Sequence, residues 1–516
     1  MHDIVIVGAG TAGCVLASRL TEDSELSVLL IEAGPRDRKL EIRIPAAFSK
    51  LYRSQVDWGD STVPQRELDG REVVFPRGRV LGGSAAMNAM MVLRGHPADY
   101  DAWAATGCPG WSWADVEPAF ARSAAGPFPL SELPDRHVLT EAFVHAAQAA
   151  GIPFTRDLNG EDNAGVGFVR VSQRRGRRFS VADGYLRPAL RRPNLTVVTG
   201  ALATRVLVER GRAVGVAYGL NGSEESAHEA AIAERAVVLC GGAIGTPHLL
   251  QLSGIGPRAA LEGAGVEVVR ELPGVGANLL DHLANGLLVR TRGIETLASA
   301  ESLRNLANWA LRGRGPLTSN IAEAAAFVRT TPRLPTPDLE LIFLPVLFED
   351  EGLKQPTEDG LTLGVVLLQP RSVGSVTLRS PNPLEPPAID PRYLTDPSGQ
   401  DVRTLLDGLR LARRVLMQEP LASFVAGEIL PGEDARSDDD LLAHLRARSQ
   451  TLYHPVGTCR MGSDPLAVVD AELRVRGIER LRVADASVMP RLPSGHTNWP
   501  TVMVAERAAE LIADAV

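Results

Sequence analysis

The first 33 residues constrain the fold more than any other part of the sequence. Residues 4 to 33 contain two short apolar runs, separated by a glycine-rich turn and by a segment with apolar residues at helical spacing. The first run ends at Gly8, and the second, residues 28 to 31, is followed by Glu32. The apolar residues thus follow the period of a strand, then of a helix, then of a strand. This pattern predicts a βαβ unit at the start of a doubly wound α/β sheet.

The glycine turn has the spacing of a dinucleotide-binding loop. It reads G-A-G-T-A-G from Gly8 to Gly13. We expect Gly8 to permit the tight turn, Gly10 to let the backbone approach a pyrophosphate, and Gly13 to let the helix pack closely on the strand. The start of the helix, which holds Thr11 and Ala12, supplies free N–H groups and the positive end of the helix dipole.

Glu32 and Ala33 stand at the end of the second strand, about 20 residues after the glycine loop. A carboxylate at this position would accept hydrogen bonds from an adenosine ribose. NAD and FAD carry the same ADP half, so the motif by itself predicts either cofactor. Glu32 disfavours NADP, because its charge would repel the additional phosphate.

Composition and charge narrow the class of protein. A chain of 516 residues is too long for one ordinary hydrophobic core, which predicts two domains. The formal net charge of -8 argues against a nucleic-acid or anionic-membrane partner, and we interpret the basic run at residues 174 to 178 as a solvated turn. The four cysteines form no C-x-x-C pair, so we expect no disulfide framework, no zinc site and no other metal site.

The N-terminus and the lengths of the apolar runs indicate where in the cell the protein is expected. An apolar strand follows Met1-His2-Asp3 directly, and no later apolar run approaches the length of a membrane span. We therefore expect a cytoplasmic protein.

A second glycine-rich block runs from residue 78 to residue 88 and includes Gly82, Gly83 and Asn88. Glycines followed by small residues allow backbone to lie against a flat ring or a phosphate. A surface loop is the alternative. The apolar run at residues 89 to 93 favours a buried segment beneath a cofactor, because exposed loops rarely continue in this way.

A third block, at residues 237 to 256, reads as an apolar strand, a Gly-Gly turn and a helix. We expect Thr246 and Pro247 in the first turn of that helix, again at the nucleotide edge of a sheet.

A fourth block closes the chain. Residues 481 to 490 read as a strand that ends at Asp485, next to Ala486. The pattern is helical from Thr501 onwards, and Pro500 suits the first turn of a helix that begins near Asn498.

These four blocks, together with H-P-V-G-T-C-R-M-G at residues 454 to 462, resemble the glucose-methanol-choline (GMC) oxidoreductases, and especially their choline dehydrogenase/oxidase-like bacterial branch. The likeness spans nearly the whole chain. It implies an FAD enzyme that oxidises an alcohol to an aldehyde or ketone, with oxygen or another acceptor reoxidising the flavin. The implied fold is an FAD-binding Rossmann-like domain interleaved with a substrate domain, α+β overall.

The resemblance also implies contacts with FAD. Glu32 would contact the adenosine ribose, Val206 the adenine, residues 88 to 91 (which include Asn88 and Met91) the flavin, and Asp485 with Ala486 the ribityl-pyrophosphate. Thr501 would lie where the last helix approaches flavin N1 and C2=O, since a helix N-terminus favours negative charge there.

Alcohol oxidation needs a base for the hydroxyl proton and a group that holds the oxygen while hydride passes to flavin N5. The resemblance assigns the first role to His454, whose imidazole titrates near neutrality, and the second to the amide of Asn498. The alternative for His454 is a buried structural histidine. His496 departs from the Asn that is common at its position, and we leave it outside the catalytic pair. His248 and His282 have no spacing that indicates a base or a metal ligand.

Two positions separate this chain from branches of the family. Some members hold FAD covalently through a histidine just before the Asn of the first signature; Met87 stands there, so we expect non-covalent FAD. The photodecarboxylases replace the catalytic histidine and carry a cysteine where this chain has Ala322. Retention of His454 argues against that activity.

We expect the FAD-binding domain at residues 1 to 283 and 454 to 516, with excursions around 100 to 190, and the substrate-binding domain at residues 284 to 453. Three segments of the latter read as strands, at residues 337 to 347, 361 to 369 and 374 to 379, followed by helices, one of them capped by Ser437. This pattern predicts an antiparallel sheet backed by helices.

Phe343, Leu344, Phe348 and Leu452 are candidates for the substrate pocket, and sheet core is the alternative for each. Aromatics are 5% of the chain, which does not favour a quaternary ammonium substrate. We expect a primary or aromatic alcohol of moderate polarity. The rival functions are a hydroxynitrile lyase that uses His454 as acid and base without redox turnover, and a redox-silent FAD-binding protein.

Overall fold

Two seven-stranded sheets form the centre of the computed structural model, which describes residues 1–220 and 229–515. The first sheet contains, in spatial order, strands Leu195–Thr199, Val28–Glu32, His2–Val7, Glu229–Leu239, Arg212–Leu220 and Ala201–Glu209, with Leu481–Val483 beside Glu229–Leu239. The second sheet contains strands Val425–Leu430, Leu283–Thr291, Gly360–Leu367, Leu339–Leu344, Ala324–Val328 and Gly165–Phe168, with Gln450–Thr451 beside Leu283–Thr291.

Three two-stranded pairs and a set of helices complete the fold of the described residues. The pairs are Ile255–Gly256 with Arg270–Glu271, Ser375–Thr377 with Ala388–Asp390, and Gln173–Arg174 with Arg177–Arg178. The α-helices are Thr11–Leu20, Leu40–Arg43, Pro97–Ala105, Trp113–Ala124, Val138–Ala149, Arg187–Ala189, Gly242–Leu252, Arg258–Gly263, Leu303–Arg312, Gln400–Leu416, Asp438–Arg448 and Asn498–Ala513. The shorter helical turns are Pro45–Leu51, Arg66–Leu68, Gly83–Ala86, Ala182–Leu186, Leu297–Ser299, Pro316–Thr318, Asp350–Gly352, Leu421–Phe424 and Ala486–Val488.

The first sheet confirms the predicted α/β fold. Strands His2–Val7 and Val28–Glu32 pair in parallel through helix Thr11–Leu20, and Glu229–Leu239 pairs in parallel on the other side. Residues 4 to 6 of the first strand, Leu30 of the second and residues 237 to 239 of the third are fully buried, as an apolar run in a parallel strand requires. Leu481–Val483 returns from near the C-terminus to pair in parallel with Glu229–Leu239. The carboxyl ends of strands far apart in sequence therefore meet at one edge.

The second sheet is antiparallel throughout its described pairs, as predicted. The predicted strand at residues 374 to 379 lies outside it, because Ser375–Thr377 pairs with Ala388–Asp390 instead. Alternate residues of the second sheet form two cores. Phe343 stacks on Phe143 of helix Val138–Ala149 at a ring-centroid distance of 4.8 Å, while Ile342 and Leu344 face the opposite side. Helix Asp438–Arg448 is capped by Ser437, whose Oγ accepts from the N–H of Asp440 at 3.1 Å, as predicted.

The helix that follows strand Glu229–Leu239 differs from the prediction. It begins at Gly242, so Thr246 and Pro247 lie in its second turn rather than its first. Pro247 has no N–H to donate to the carbonyl of Ala243. The hydroxyl of Thr458, from the H-P-V-G-T segment, donates to that carbonyl at 2.6 Å instead. A proline is thus tolerated inside the helix because a distant side chain satisfies the carbonyl.

The basic run at residues 174 to 178 is only partly a solvated turn. Arg175 and Gly176 form a tight turn with positive φ values of 53° and 68°, between the paired residues Arg174 and Arg177. Arg178, by contrast, is 2% exposed. Its guanidinium donates to the carbonyl of Ile42 and to the side chain of Asn88, so one arginine of the run is structural.

No helix among the described residues is long and apolar enough to cross a membrane.

Candidate functional site

A cavity of about 640 Å³ lies between the two sheets, where the parallel strands of the first sheet end. Most of the residues predicted to bind the cofactor line it, although they come from five separate segments of the chain. They are Gly8, Gly10, Thr11, Ala12, Glu32, Ala33, Gly83, Asn88, Met91, Asp485, Ala486 and Thr501. Both predicted catalytic residues, His454 and Asn498, line it as well.

Three predicted residues stand outside the cavity wall. A Cβ on Gly13 would lie 1.9 Å from the carbonyl oxygen of Gly8, so Gly13 serves the contact between helix and strand. Gly82 sits behind Gly83 and donates its N–H to Ala9 at 2.8 Å. Val206 is buried in the core, and its N–H donates to Ser253 at 2.8 Å; Ala203, earlier in the same strand, lines the cavity instead.

The glycine loop leaves room and free donors for a pyrophosphate. A Cβ on Gly8 would lie 2.5 Å from the carbonyl oxygen of Cys240, whereas one on Gly10 would meet nothing closer than 3.9 Å. No side chain caps helix Thr11–Leu20 at its N-terminus, and none caps helix Asn498–Ala513. The first N–H groups of a helix have no intrahelical partner, so two uncapped helices present donors to one cavity. These residues fit the pyrophosphate of the predicted FAD.

Glu32 lines the cavity and also holds the glycine loop in place through hydrogen bonds. Its two carboxylate oxygens accept from the N–H groups of Ala9 and Gly34, each at 2.8 Å. Burial raises the pKa of Glu32 to about 7, although these two bonds act to lower it. Each oxygen keeps a lone pair, so a ribose hydroxyl would have an acceptor here.

Asp485 joins the C-terminal strand to the third glycine block. One oxygen accepts from the N–H of Gly242 at 2.8 Å and from the hydroxyl of Thr246 at 2.6 Å, and the other accepts from Ser487. Burial raises the pKa of Asp485. Its carboxylate therefore fixes the loop at the cavity edge, a structural role that the sequence pattern did not reveal.

The backbone of His454 is held by Asp281. Segments at residues 280 to 282 and 452 to 456 run side by side, joined by the hydrogen bonds between Leu280 and Val456. One oxygen of Asp281 accepts from the N–H of His454 at 2.8 Å, and the other accepts from the hydroxyls of Thr451 and Tyr393. These bonds fix the position of His454 although it follows Tyr453, which has an unusual positive φ of 64°.

The ring of His454 lies between two other histidine rings. His282 is in edge contact at a ring-centroid distance of 5.2 Å, and His496 is tilted against it at 4.6 Å. Burial lowers the pKa of His454 well below 6.5, and the neighbouring basic side chains, His496 first and then His282 and Arg77, lower it further. His454 is therefore a neutral imidazole at neutral pH, the form that can accept a proton.

His496 is a site residue that the sequence interpretation set aside. It is 7% exposed, lines the cavity beside His454, and places its Nε2 3.2 and 3.3 Å from the two oxygens of Glu340. Glu340 is fully buried in strand Leu339–Leu344. Among the described residues its carboxylate has no other hydrogen-bond partner, so the pair holds the ring of His496. The H-T-N spacing was the available signal, because His496 lies two residues before Asn498, where the last helix begins.

Asn498 has a different partner. Its carboxamide oxygen accepts from the hydroxyl of Thr11 at 2.8 Å, in the first turn of the helix after the glycine loop. The last helix begins at Asn498, as predicted. The carboxamide thus joins the first helix of the chain to the last at the cavity, while the role of Asn498 toward a substrate stays a prediction.

The second sheet supplies an apolar wall. Of the four predicted pocket residues, Leu344, Phe348 and Leu452 line the cavity, and Phe343 belongs to the core on the other face of the sheet. The physical reason is the alternation of side chains along a strand, which sends residues 342 and 344 to one face and residue 343 to the other. Ala322 and Met87 also line the cavity, so both branch-defining positions are at the site.

Comparison with known proteins agrees with this geometry. The sequence model for GMC oxidoreductases matches residues 2–284 in its N-terminal part and residues 370–505 in its C-terminal part. An alcohol dehydrogenase [acceptor] of Pseudomonas putida is 41% identical, over 99% of this chain and 96% of the relative. Mitochondrial choline dehydrogenase of Mus musculus is 42% identical, over 99% of this chain and 89% of the relative.

A solved structure extends the likeness to three dimensions. Pyridoxine 4-oxidase from Mesorbium loti superposes with a TM-score of 0.89 at 32% sequence identity, over 99% of both chains. The family-model matches include the glycine loop and the start of the last helix. The chain belongs to the GMC oxidoreductase family.

Proposed function

We propose that this protein is an FAD-dependent oxidoreductase that converts an alcohol to an aldehyde or ketone with His454 as the base. One observation carries the proposal: a neutral imidazole, His454, stands in the same cavity as an uncapped glycine-loop helix and an uncapped C-terminal helix. Membership of an oxidoreductase family with alcohol and choline dehydrogenase relatives supports a CH–OH donor.

The residues of the first sheet would hold the cofactor. The N–H groups at Gly10 and Thr11 would bind the pyrophosphate, and Glu32 would accept from the adenosine ribose. Met87 stands at the position of the covalent attachment found in some members, and a thioether forms no such bond, so we propose non-covalent FAD. When bound, FAD supplies the acceptor for the hydride that leaves the carbinol carbon.

His454 would take the hydroxyl proton of the alcohol at Nε2. The O–H bond breaks and an N–H bond forms on the imidazole, while the electron pair of the carbinol C–H bond leaves as hydride and the C–O bond becomes a carbonyl. The fixed backbone of His454 keeps the imidazole in one place during this transfer.

His496 is the group that we propose to contact the substrate oxygen. It faces the cavity next to His454, and Glu340 accepts the proton on its Nε2, so the other edge of the ring points away from the sheet. The Nδ1 edge of His496 would hold the substrate oxygen next to His454 as negative charge develops there. Asn498, the sequence candidate for this role, would act instead through Thr11 on the cofactor side.

The apolar wall narrows the class of alcohol. Ile342, Leu344, Phe348 and Leu452 present hydrocarbon and one ring to the cavity. We therefore propose a primary or aromatic alcohol of moderate polarity. The relatives include an acceptor-linked dehydrogenase and an oxidase, and the reduced flavin would be reoxidised by oxygen or by another acceptor.

The test is a screen for flavin bleaching by alcohols without oxygen, with the absorbance of FAD as the readout. The wild-type protein should bleach with at least one alcohol and recover with air or an artificial acceptor. His454→Ala should slow bleaching by about 10²- to 10⁴-fold, the usual contribution of a general base. His145→Ala, at an exposed histidine, is the control and should leave the rate unchanged.

The rival function predicts a different result in the same samples. A hydroxynitrile lyase would leave the flavin oxidised with every alcohol and would cleave a cyanohydrin to an aldehyde and cyanide. That outcome, or full bleaching by His454→Ala at the wild-type rate, would refute the proposal.

A further inference from the structure

His282 is a fully buried histidine whose two ring nitrogens both have partners. Its Nε2 lies 3.2 Å from the carbonyl oxygen of Leu368, and its Nδ1 lies 3.0 Å from Nδ1 of His454. His282 is behind the cavity wall, and its backbone carbonyl accepts from the N–H of Leu452 at 2.8 Å, in the segment that leads to His454. The ring of His282 therefore reaches the base from the side opposite the cavity.

The protons in this chain of groups can be assigned from what each atom is able to do. A carbonyl oxygen only accepts, so the contact with Leu368 requires a proton on Nε2 of His282. Burial lowers the pKa of His282 to about 3, so the ring is neutral and its Nδ1 carries a lone pair. The contact of 3.0 Å then requires that Nδ1 of His454 carry the proton and donate it.

We propose that His282 is a positioning residue that fixes the tautomer of His454, with the proton on Nδ1 and the lone pair on Nε2 toward the cavity. This inference rests on the proposed function, in which His454 is the base. A neutral imidazole has two tautomers, and only one of them has a lone pair on the nitrogen that faces the substrate. Without an acceptor at Nδ1, part of the His454 population would hold its proton on Nε2 and would be unable to accept another.

The hydrogen bond between His282 and His454 also stabilises the protonated form of His454. After His454 has accepted a proton at Nε2, its Nδ1–H still donates to the lone pair of His282, now as a charge-assisted hydrogen bond. His282 neither gains nor loses a proton in this step. The dipeptide Asp281-His282 thus holds both parts of the base: the carboxylate holds the backbone N–H, and the imidazole holds the ring.

Three substitutions test whether the Nδ1 acceptor of His282 matters, independently of the rest of the side chain. His282→Asn places a carboxamide oxygen where Nδ1 was and keeps an acceptor for His454. His282→Gln places its carboxamide where Nε2 was, so it can reach Leu368 but offers a methylene to His454. His282→Leu offers neither group. The Asn and Gln variants are matched in polarity, so a difference between them reports the acceptor.

The measurements are made on FAD-loaded protein with an alcohol that bleaches the wild-type flavin. We expect His282→Gln and His282→Leu to lower the limiting rate of flavin reduction by about 10- to 100-fold, with little change in the half-saturating alcohol concentration. His282→Asn should restore most of the rate. The ¹⁵N shifts of His454, assigned by difference from His454→Ala, should indicate a protonated Nδ1 in the wild type and in His282→Asn, and mixed tautomers in His282→Gln.

Equal rates in the Asn and Gln variants would overturn the inference, as would an unchanged His454 tautomer in His282→Gln. If His282→Leu fails to fold, the comparison of His282→Asn with His282→Gln still tests the inference. Failure of the proposed function gives a different pattern, because His454→Ala would then bleach like the wild type. Loss of bleaching in His454→Ala with no effect of His282→Gln would refute only the tautomer role.

Discussion

At the scale of single residues, the site is a row of three imidazoles, each with a separate partner. His282 donates to a carbonyl, His496 contacts the carboxylate of Glu340, and His454 lies between them with one face to the cavity. Neighbours that differ in this way make chemically identical side chains suited to different tasks. The three histidines are far apart in the sequence. Only His496 lies close to another predicted site residue, Asn498.

The first residue-scale prediction concerns pH. A base works only when unprotonated, and the pKa of His454 is held well below 6.5 by burial and by its charged neighbours. The rate of flavin reduction should therefore stay constant from about pH 8 down to pH 6.5 and fall only at lower pH, where His454 becomes protonated. Stopped-flow bleaching across this range is the measurement. A protonation step at or above pH 6.5 that disappears in His454→Gln would contradict it.

The second residue-scale prediction separates His496 from Asn498. His496→Ala should slow flavin reduction by about 10²- to 10³-fold, as expected when a donor to the developing oxyanion is removed, and His496→Asn should be milder because it keeps a donor. Asn498→Ala loses the contact with Thr11, so we expect weaker FAD binding with a smaller effect on the rate in saturated protein. Rates come from stopped flow and affinities from FAD titration. A larger loss of rate in Asn498→Ala than in His496→Ala would restore the sequence-based assignment.

At the scale of elements, glycines with the same apparent role in the motif have different physical constraints. Gly8 and Gly13 are enclosed by backbone, with 2.5 and 1.9 Å to the carbonyl oxygens that a Cβ would meet. Gly10 has an ordinary φ of -76° and open space in the direction of a Cβ. Gly8 and Gly13 permit the fold of the loop, and Gly10 leaves room for a ligand.

We therefore expect Gly10→Ala and Gly13→Ala to fail in different ways. Gly10→Ala should fold with a melting temperature near that of FAD-free wild type but bind FAD at least tenfold more weakly, since the new methyl occupies the space of the pyrophosphate. Gly13→Ala should destabilise the FAD-free protein itself, because the helix cannot keep its distance from the strand. Thermal unfolding with and without FAD measures both. Equal affinity in Gly10→Ala would show that the pyrophosphate binds elsewhere.

The H-P-V-G-T segment also stabilises an element that it does not belong to. Thr458→Val keeps the shape of the side chain but leaves the buried carbonyl of Ala243 without a donor, next to Pro247, which has none to offer. We expect a loss of about 1–3 kcal/mol in the free energy of unfolding, the usual cost of an unsatisfied buried acceptor. Thr458→Ser keeps the hydroxyl and should lose less. Urea denaturation provides the comparison, and equal losses in the two variants would argue against the hydrogen bond.

At the scale of the whole molecule, the two ends of the described chain pack together. Helix Thr11–Leu20 lies against helix Asn498–Ala513, and Arg19 makes two hydrogen bonds of 2.9 Å to the buried carboxylate of Glu506. The hydroxyl of Tyr185 donates to the same carboxylate at 2.6 Å. Both helices point their uncapped N-termini into the cavity, so this contact fixes the relative position of the two donors.

Glu506 is therefore expected to support both stability and cofactor binding. Glu506→Ala should lower the free energy of unfolding by about 3 kcal/mol, at the low end for a broken buried ion pair, because Arg19 keeps partial access to water. FAD affinity should fall as the two helices lose their fixed alignment. Glu510→Ala, one turn later on the same helix and exposed, should change stability by less than about 0.5 kcal/mol. Similar losses in both variants would contradict the role of Glu506.

The sequence by itself determined the parts of this protein that rest on local pattern. Period and glycine spacing were sufficient for the βαβ unit, the glycine loop, the strand that precedes Asp485 and the start of the last helix at Asn498, since each has a local pattern of its own. The resemblance to GMC oxidoreductases was likewise carried by short blocks in a fixed order, and the family match confirms it.

Only the tertiary structure decided which side chains meet. The contacts of His454 with His282, of His496 with Glu340 and of Thr458 with Ala243 join residues more than 150 positions apart. The side of the sheet on which Phe343 lies depends on strand pairing, and the burial of Arg178 depends on segments elsewhere in the chain. A linear pattern records the type and spacing of residues, whereas tautomers, partners and exposure depend on packing between distant segments.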